Sequence, residues 1–267
     1  MNTVADAVAL VTGAGSGLGA EISRELVSAG ATVIGADVRG DRARETGDGL
    51  PEDRYEAWPL DLRERAAIAK TVDAIVDRYS RLDVVVNNAG IDRTARFEDF
   101  DFDGWEQIVD VNLVAPAAVM HAAWPVMQRQ GAGAIVNIAS TAATRAWAEA
   151  SAYHASKWGL LGLSRALHVE GRRHGIRVST VIAGGMRTPF LLERFPDINL
   201  DVLQDPANVA RAVRLVLEMP PGSVIPELFV LPEQETSWPC DRLASTSTRG
   251  ATSGGCWSFA STGWATS

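Results

Sequence analysis

Cysteine is scarce in this sequence. Of 267 residues only two are cysteines, Cys240 and Cys256, and both lie near the C-terminal end. So few thiols provide no disulfide framework and fit a reducing compartment. Residues 1–7 are polar and acidic, and they lack the basic and apolar stretches of a secretory signal. We therefore expect a cytoplasmic protein.

Long hydrophobic runs and an excess of positive charge are also missing. No apolar run approaches the roughly 20 residues that a membrane-spanning helix needs. The formal net charge of −8 weighs against nucleic acid and anionic membranes as partners. We therefore expect neither partner.

The four histidines are few and scattered. They show no metal-ligand spacing with each other or with the cysteines: His121, His154, His168 and His174. No metal site is therefore expected. His154 directly follows Tyr153, so its side chain points to another side of the predicted helix, and we expect a surface histidine.

What the sequence does contain is a regular alternation of apolar runs and amphipathic segments. The runs predict strands over residues 8–11, 32–36, 55–59, 82–86, 134–138, 177–182 and 227–231. The segments predict helices over residues 18–29, 64–79, 102–130, 153–174 and 206–219, with kinks expected at Pro116 and Pro125. Residues 40–53 are predicted to form a loop with one short helix at most, and residues 184–204 an active-site flap. Apolar strands that alternate with helices predict a doubly wound parallel sheet with helices on both faces, in a single α/β domain over residues 1–239.

The C-terminal stretch differs in composition from the rest. Over residues 240–267, Ser, Thr and Gly make up more than half of the chain, and no helix or strand period is visible. This composition predicts a disordered tail. The three aromatic residues scattered through it leave docking on a neighbouring surface as the alternative.

A glycine-rich turn follows the first predicted strand and opens a helix. It contains Gly13, Gly17 and Gly19 in the spacing Gly-x-x-x-Gly-x-Gly. Glycines let the backbone approach a pyrophosphate closely, and a helix N-terminus favours the anion. The turn therefore predicts a dinucleotide site, whereas the absence of Gly-Lys-Ser/Thr excludes a P-loop.

Acidic residues follow the second and third predicted strands. Asp37 lies where a carboxylate accepts hydrogen bonds from the ribose hydroxyls of adenosine. Such a carboxylate would repel a 2′-phosphate, so NAD is favoured over NADP, although Arg39 could turn back towards a phosphate. Asp61, predicted to end the third strand, would either bond the adenine amino group or cap the next helix.

Residues 140–157 carry the groups that could move a proton. Ser140 ends the fifth predicted strand, while Tyr153 and Lys157 lie four apart and so share one face of a helix. A dinucleotide over the C-terminal edge of the sheet would place its nicotinamide near Asn88 and Ser140. One surface would then present a hydroxyl, a phenol and an ammonium to the cofactor.

Together these features resemble the compact single-domain branch of the short-chain dehydrogenase/reductase family, over about residues 5–232. The resemblance is carried by the glycine-rich turn after Thr12, by Asn87-Asn88-Ala89-Gly90, by Asn112 and Ser140, and by Tyr153-x-x-x-Lys157. One departure is the segment at residues 183–188, which lacks the family's proline before a glycine. Because of this departure, the resemblance does not predict the backbone conformation of residues 183–188.

The resemblance implies a Rossmann-type fold, NAD or NADP as cofactor, and an oxidoreductase that interconverts a secondary alcohol and a ketone. Tyr153 would be the general acid/base. Lys157 and the oxidised nicotinamide would lower the pKa of its phenol, Ser140 would polarise the reacting oxygen, and Asn112 would hold a relay water. The implied catalytic residues are Ser140, Tyr153, Lys157 and Asn112. The implied cofactor-binding residues are Thr12, Gly13, Ser16, Gly17, Leu18, Gly19, Asp37, Asp61, Leu62, Asn88, Ala89, Gly90, Tyr153, Lys157, Met186 and Thr188.

The resemblance further implies a homodimer or homotetramer formed through the helices over residues 102–130 and 153–174. Trp147 and four flap residues could line an apolar substrate pocket or pack in the core: Met186, Phe190, Leu191 and Phe195. A hydrophobic hydroxy or keto substrate, cyclic or polyketide-like, is the expectation. Two alternatives stay open: a non-redox epimerase or dehydratase, and a regulator that binds cofactor without turnover.

Overall fold

The computed structural model describes residues 3–234, which are built around one parallel sheet. Its strands are β1 (Val8–Thr12), β2 (Thr32–Asp37), β3 (Tyr55–Pro59), β4 (Val84–Asn87), β5 (Gly133–Ser140), β6 (Ile176–Ala183) and β7 (Glu227–Val230). Its α-helices are α1 (Gly17–Ser28), α2 (Gly40–Thr46), α3 (Arg65–Tyr79), α4 (Phe102–Val109), α5 (Ala115–Gln130), α6 (Ser151–Gly171), α7 (Pro189–Leu192) and α8 (Pro206–Leu217). The sheet order is β3-β2-β1-β4-β5-β6-β7, and every neighbouring pair is parallel. The predicted doubly wound α/β fold is confirmed.

The strands are apolar throughout because helices cover both faces of the sheet. On β1, Ala9 and Val11 belong to the core layer under α1 and α8, whereas Leu10 belongs to the layer under α3 and α5. Each large side chain that is fully buried in these layers contributes about 1.5–3 kcal/mol. The two layers hold rigid the strand ends that carry the site.

The predicted helix over residues 102–130 is interrupted. A π-helical turn, Asp110–Val114, separates α4 from α5, and α5 then continues through Pro125. Pro116 lacks an N–H, and its ring opposes the carbonyl four residues earlier, at Asn112. The departure from regular helix therefore lies one turn before Pro116, and it includes a residue of the predicted site.

By length and composition alone, the whole stretch Phe102–Gln130 could cross a bilayer. No such stretch was expected from the sequence. Core helices of globular domains pass the same test. Val119, Met120, Ala123 and Met127 are buried in the core layer shared with α3. Its packing is therefore that of a core helix.

Several boundaries differ from the predictions. Residues 40–53 contain one short helix, α2, as the prediction allowed. The flap contains α7 and a 3₁₀ turn, Leu200–Val202, which were not predicted. The third strand ends at Pro59, so Asp61 lies two residues beyond it, which corrects its predicted position. The predicted tail, residues 240–267, lies outside the described residues.

Candidate active site

The candidate site is a cleft at the C-terminal ends of the strands. β1 lies between β2 and β4, so the chain winds outward in opposite directions from this point, where open α/β sheets bind ligands. The cleft has a volume of about 930 Å³. Most predicted site residues line it, whereas Thr12, Gly19 and Asn112 are buried behind its wall.

The glycine-rich turn connects β1 to α1 in a conformation that demands glycine. Gly13 and Gly17 have φ of +67° and +51°. A Cβ added to Gly19 would lie 2.1 Å from the carbonyl oxygen of Gly13. The N-cap of α1, Ser16, makes no side-chain cap hydrogen bond, so the first N–H groups of this helix remain available to an anion.

The segment after β4 is joined to this turn by hydrogen bonds. The Asn88 side-chain amide donates to the carbonyl oxygens of Thr12, at 2.9 Å, and Gly13, at 3.2 Å. The Thr12 hydroxyl oxygen accepts the backbone N–H groups of Asn88 and Ala89, at 3.1 and 3.2 Å. The two loops therefore form one continuous floor of the cleft.

Asp37 is the last residue of β2 and is buried. Its two carboxylate oxygens accept the backbone N–H groups of Gly15 and Arg39, each at 2.9 Å. Each oxygen retains a lone pair, so the carboxylate can still accept ribose hydroxyls. The Arg39 side chain lies at the exposed rim, 3.5 Å from the Ser16 hydroxyl.

Asp61 forms a two-pronged ion pair with Arg63, with the shortest N–O distance at 2.6 Å. This hydrogen bonding lowers the pKa of Asp61. Asp61 is not the N-cap of α3, which is Glu64, so the capping alternative was wrong. Arg63 also lines the cleft and was missed from the sequence.

The predicted hydroxyl, phenol and ammonium meet at one wall of the cleft. Ser140 ends β5 and lies beside Tyr153, and its hydroxyl oxygen accepts the backbone N–H of Ala142 at 3.2 Å. The Lys157 ammonium lies 5.7 Å from the centre of the Tyr153 ring and donates to the carbonyl oxygen of Ile138 at 2.9 Å. Tyr153 and Lys157 are only 8% and 4% exposed. The helical spacing thus places them as predicted.

Burial dominates the titration of both groups. It raises the pKa of Tyr153 to about 12; the charge of Asp92 adds to the rise, while the Ser140 hydrogen bond and the charge of Arg194 oppose it. Burial lowers the pKa of Lys157 to about 8, and Asp92 opposes this shift. Without a cofactor, the protein therefore raises the pKa of the Tyr153 phenol. Lys157 together with a positive nicotinamide was expected to lower this pKa.

Asn112 lies inside the π-helical turn and is fully buried. Its side-chain amide donates to the carbonyl oxygen of Ile91 and to the Ser156 hydroxyl, at 2.8 and 3.2 Å, and its carbonyl accepts the N–H of Ile91 at 2.8 Å. The side chain thereby ties the π-helical turn to the segment after β4. Its role in a water relay stays a prediction.

The segment that lacks the family's proline is held at the edge of the sheet. The N–H of Gly184 donates to the carbonyl oxygen of Val230 at 2.9 Å, which joins the start of this segment to the end of β7. Thr188 is buried against Gly17 at the start of α7. Met186, Phe190, Leu191 and Phe195 line the cleft, and Met186 also packs against the core layer under α1 and α8. Their part in a substrate pocket stays a prediction.

The site also lacks a metal centre, as far as the described part of the chain goes. Within residues 3–234, no group of three or more His, Cys, Asp or Glu side chains is arranged to hold a metal ion.

Comparison with known proteins identifies the family. The model for short chain dehydrogenases matches residues 7–199, which is more than two thirds of the chain. The chain belongs to the short-chain dehydrogenase/reductase family. An uncharacterized oxidoreductase of Bacillus subtilis, YxjF, is 39% identical over 194 residues, which are 72% of this chain and 76% of the relative.

Two further family members are similar over more of their own length. An acetoacetyl-CoA reductase of Acinetobacter is 35% identical over 218 residues, covering 77% of this chain and 88% of the relative. The crystal structure of a metagenomic short-chain oxidoreductase in complex with NADP matches with a TM-score of 0.76 and 32% identity, covering 86% of this chain and 98% of that one.

The prediction that His154 is a surface residue was wrong. His154 is 8% exposed, because residues 141–150 fold back over α6. Its Nε2 accepts the backbone N–H of Trp147 at 3.1 Å, so Nδ1 carries the proton and donates to the carbonyl oxygen of Ala142 at 3.0 Å. His154 therefore secures the part of the short-chain dehydrogenase/reductase cleft that Trp147 lines.

Two charged residues of the cleft were also missed: Asp92, which follows β4, and Arg194, in the flap. They form an ion pair beside Tyr153, in which the Asp92 side chain is 5% exposed. The two residues are 102 positions apart, so no local period connects them. An acidic residue two positions after the family's Asn-Asn-Ala-Gly segment was the one available signal.

Proposed function

We propose that this member of the family is an NAD(P)-dependent oxidoreductase that interconverts a secondary alcohol and a ketone, with Tyr153 as general acid/base. The observation that carries the proposal is the meeting of Ser140, Tyr153 and Lys157 at one wall of a cleft whose other end holds the glycine-rich turn and Asp37. Such a set serves proton transfer next to a bound dinucleotide.

The residues present fit a dinucleotide. The turn at Gly13 and Gly17 and the open N-terminus of α1 would hold the pyrophosphate. Asp37 would hold the adenosine ribose, and Lys157 the nicotinamide ribose. When bound, the cofactor supplies or accepts the hydride, while the chain positions the substrate and moves the proton.

The cofactor proposed is NAD, with NADP as the alternative. The buried carboxylate of Asp37 supports NAD, because it would face and repel a 2′-phosphate. Arg39 at the rim supports NADP, as does the similar oxidoreductase crystallised with NADP.

The proton chemistry follows from the pKa values of the wall. Tyr153, with a pKa of about 12, carries the proton that it would give to the oxygen of a ketone. In the opposite direction it must first lose that proton, so oxidation of an alcohol is favoured as the pH rises. Ser140 would donate a hydrogen bond to the same substrate oxygen and polarise it.

The substrate proposed is a hydrophobic hydroxy or keto compound. Trp147 and the flap residues Phe190, Leu191 and Phe195 give the substrate end an apolar wall. The relative named acetoacetyl-CoA reductase supports a keto group as the reacting group. These observations support a substrate whose reacting carbonyl lies beside an apolar body.

A cofactor and substrate panel tests the proposal. We expect purified protein to change the absorbance of NADH or NADPH with at least one member of a broad ketone panel, and of NAD or NADP with the matching alcohol. Conversion of substrate without net change in the cofactor would instead indicate an epimerase or dehydratase. Cofactor binding without any turnover would indicate a regulator.

The proposal includes a homodimer or homotetramer in the cytoplasm. An apolar groove of about 330 Å³ runs over the outer surfaces of α5 and α6 and is lined by Met120, Trp124, Leu163 and Leu167. Burying such a groove against a second copy would remove apolar surface from water. Light scattering after gel filtration would report a dimer or tetramer if this is correct, and a monomer if it is wrong.

A further inference from the structure

A buried ion pair joins the flap to the opposite side of the cleft. Asp92 lies in the loop after β4, and Arg194 lies two residues after the end of α7. Their side chains are 5% and 20% exposed, and both line the cleft. The contact therefore bridges the mouth of the substrate end from one rim to the other.

Arg194 also holds the flap's own aromatic rings. Its guanidinium lies 4.7 Å from the centre of the Phe190 ring and 5.2 Å from that of Phe195, and its Nε donates to the carbonyl oxygen of Phe190 at 3.2 Å. The Phe190 ring in turn lies 6.1 Å from the ring of Tyr153. A continuous series of contacts thus runs from Asp92 through Arg194 and Phe190 to the proposed acid/base.

Taking two charges out of water is costly, and a buried pair often adds no net stability over apolar residues of the same volume. A pair of this kind is therefore better explained by the position it enforces. We propose that Asp92 and Arg194 are positioning residues: their ion pair holds Phe190 against Tyr153 and so sets the substrate wall. The assignment rests on the proposed function, in which Tyr153 exchanges a proton with the substrate.

The charges of the pair also act on the groups they face. Asp92 raises the pKa of both Tyr153 and Lys157, whereas Arg194 lowers the pKa of Tyr153. Neutralising one partner should therefore move the titration of Tyr153 in one direction, and neutralising the other should move it in the opposite direction. A purely structural contact predicts no such opposition.

Amide hydrogen exchange tests the positioning role without turnover. The N–H groups of residues 191–193 and 195 donate to flap carbonyls, so they report opening of the flap. We expect Asp92→Asn and Arg194→Gln each to speed their exchange by roughly tenfold or more, as the loss of one partner strands a buried charge. Arg93→Gln is the matched control, because it breaks an exposed ion pair with Asp101 in the adjacent position. It should leave flap exchange unchanged.

Steady-state kinetics with NADH and a ketone found in the panel supply the second readout. Each single variant should lower kcat/KM by about 10- to 100-fold, as expected for a misplaced substrate wall. The double variant should be no worse than the poorer single, because both act through one contact. The pH profile of kcat should shift downward for Asp92→Asn and upward for Arg194→Gln.

Three results would overturn the inference: unchanged flap exchange in both single variants, multiplicative losses in the double variant, or pH shifts in the same direction. If the wild-type protein turns over no substrate, the proposed function fails, while the exchange experiment still decides whether the pair holds the flap.

Discussion

At the scale of single residues, the proposed chemistry depends on Tyr153. Its phenol is buried, and this burial raises its pKa to about 12. Tyr153→Phe removes the hydroxyl and keeps the ring that packs near Phe190. We expect kcat/KM to fall by about 10²–10⁴-fold, the usual contribution of a general acid/base, while NADH affinity changes little.

Fluorescence titration with NADH and initial rates on the same preparation would measure the two quantities. Loss of cofactor binding together with activity would mean that Tyr153 serves the cofactor site rather than proton transfer. Ser23→Ala is a suitable control, because Ser23 does not line the cleft. Its buried hydroxyl donates to the carbonyl oxygen of Gly19 within α1, at 2.8 Å.

Asp37 is the residue on which cofactor preference should depend. Asp37→Asn removes the charge and keeps one acceptor oxygen, so it retains the hydrogen bond to one of the N–H groups of Gly15 and Arg39 and loses the other. That loss is common to NADH and NADPH, so the ratio between the two cofactors reports the charge. Because the charge would repel a 2′-phosphate, the ratio of kcat/KM for NADH over NADPH should fall by about tenfold, which corresponds to about 1.4 kcal/mol. Asp41→Asn, on exposed α2, removes the same charge outside the cleft and should leave the ratio alone. An unchanged ratio in Asp37→Asn would rule out the ribose-reading assignment.

The site residues that could be predicted from the sequence are those placed by their neighbours along the chain. Tyr153 and Lys157 lie one helical turn apart, and Ser140 directly ends a strand, so their positions follow from backbone periods. His154 was wrongly predicted to lie at the surface. Residues 141–150 fold back over α6 and bury it, and no periodic pattern in the sequence indicates this fold-back. Asp92 and Arg194 meet only through the tertiary fold, which a single sequence does not display.

At the scale of structural elements, the glycine-rich turn is the least tolerant. Gly19→Ala would place a methyl group 2.1 Å from the Gly13 carbonyl oxygen and 2.5 Å from the Asn88 side chain. The turn would have to open, so we expect NADH affinity to fall by at least about tenfold, as preorganised backbone donors are lost. Calorimetric titration with NADH would measure the loss.

A second glycine provides the control for this substitution. Gly162 lies on the exposed side of α6, and an added Cβ would meet no atom within 4 Å. Gly162→Ala should therefore keep NADH affinity and raise the free energy of unfolding by about 0.5–1 kcal/mol, since alanine is the better helix former. Equal NADH affinities for the Gly19 and Gly162 variants would contradict the role given to the turn.

The π-helical turn shows where element prediction stops. Proline at position 116 predicted a disturbance of the long helix, and the structure places it one turn earlier. The side chain of Asn112 stabilises this turn from outside, through Ile91 and Ser156. Those partners come from two other segments, so the type and place of the distortion depend on tertiary contacts.

At the scale of the whole molecule, the sheet was predictable because its strands are buried on both faces and read as unbroken apolar runs. Strand order is not contained in these runs, because it depends on which strands pair in the tertiary fold, and it was not predicted. The sheet's two core layers leave little solvent at the end of β5, where Lys157 reaches the Ile138 carbonyl. Burying the Lys157 ammonium there makes the stability of the entire fold depend on pH.

The pKa of Lys157 is lowered from 10.5 to about 8 in the folded protein. Between these values the unfolded chain binds more protons than the folded one, so this group makes the protein more stable as the pH rises. At about 1.4 kcal/mol per unit, the full effect is up to roughly 3 kcal/mol.

Lys157→Met removes this titration and keeps an unbranched buried side chain. The free energy of unfolding of wild type minus that of the variant should therefore rise from pH 7 to pH ~9.5, by about 2 kcal/mol. Urea titrations at both pH values would measure it; Tyr153 is present in both proteins, so its titration largely cancels. Lys70→Met, which removes an exposed ammonium on α3, is the matched control. A constant difference for Lys157→Met would mean that the Lys157 ammonium keeps its charge in the fold at no cost, contrary to its burial.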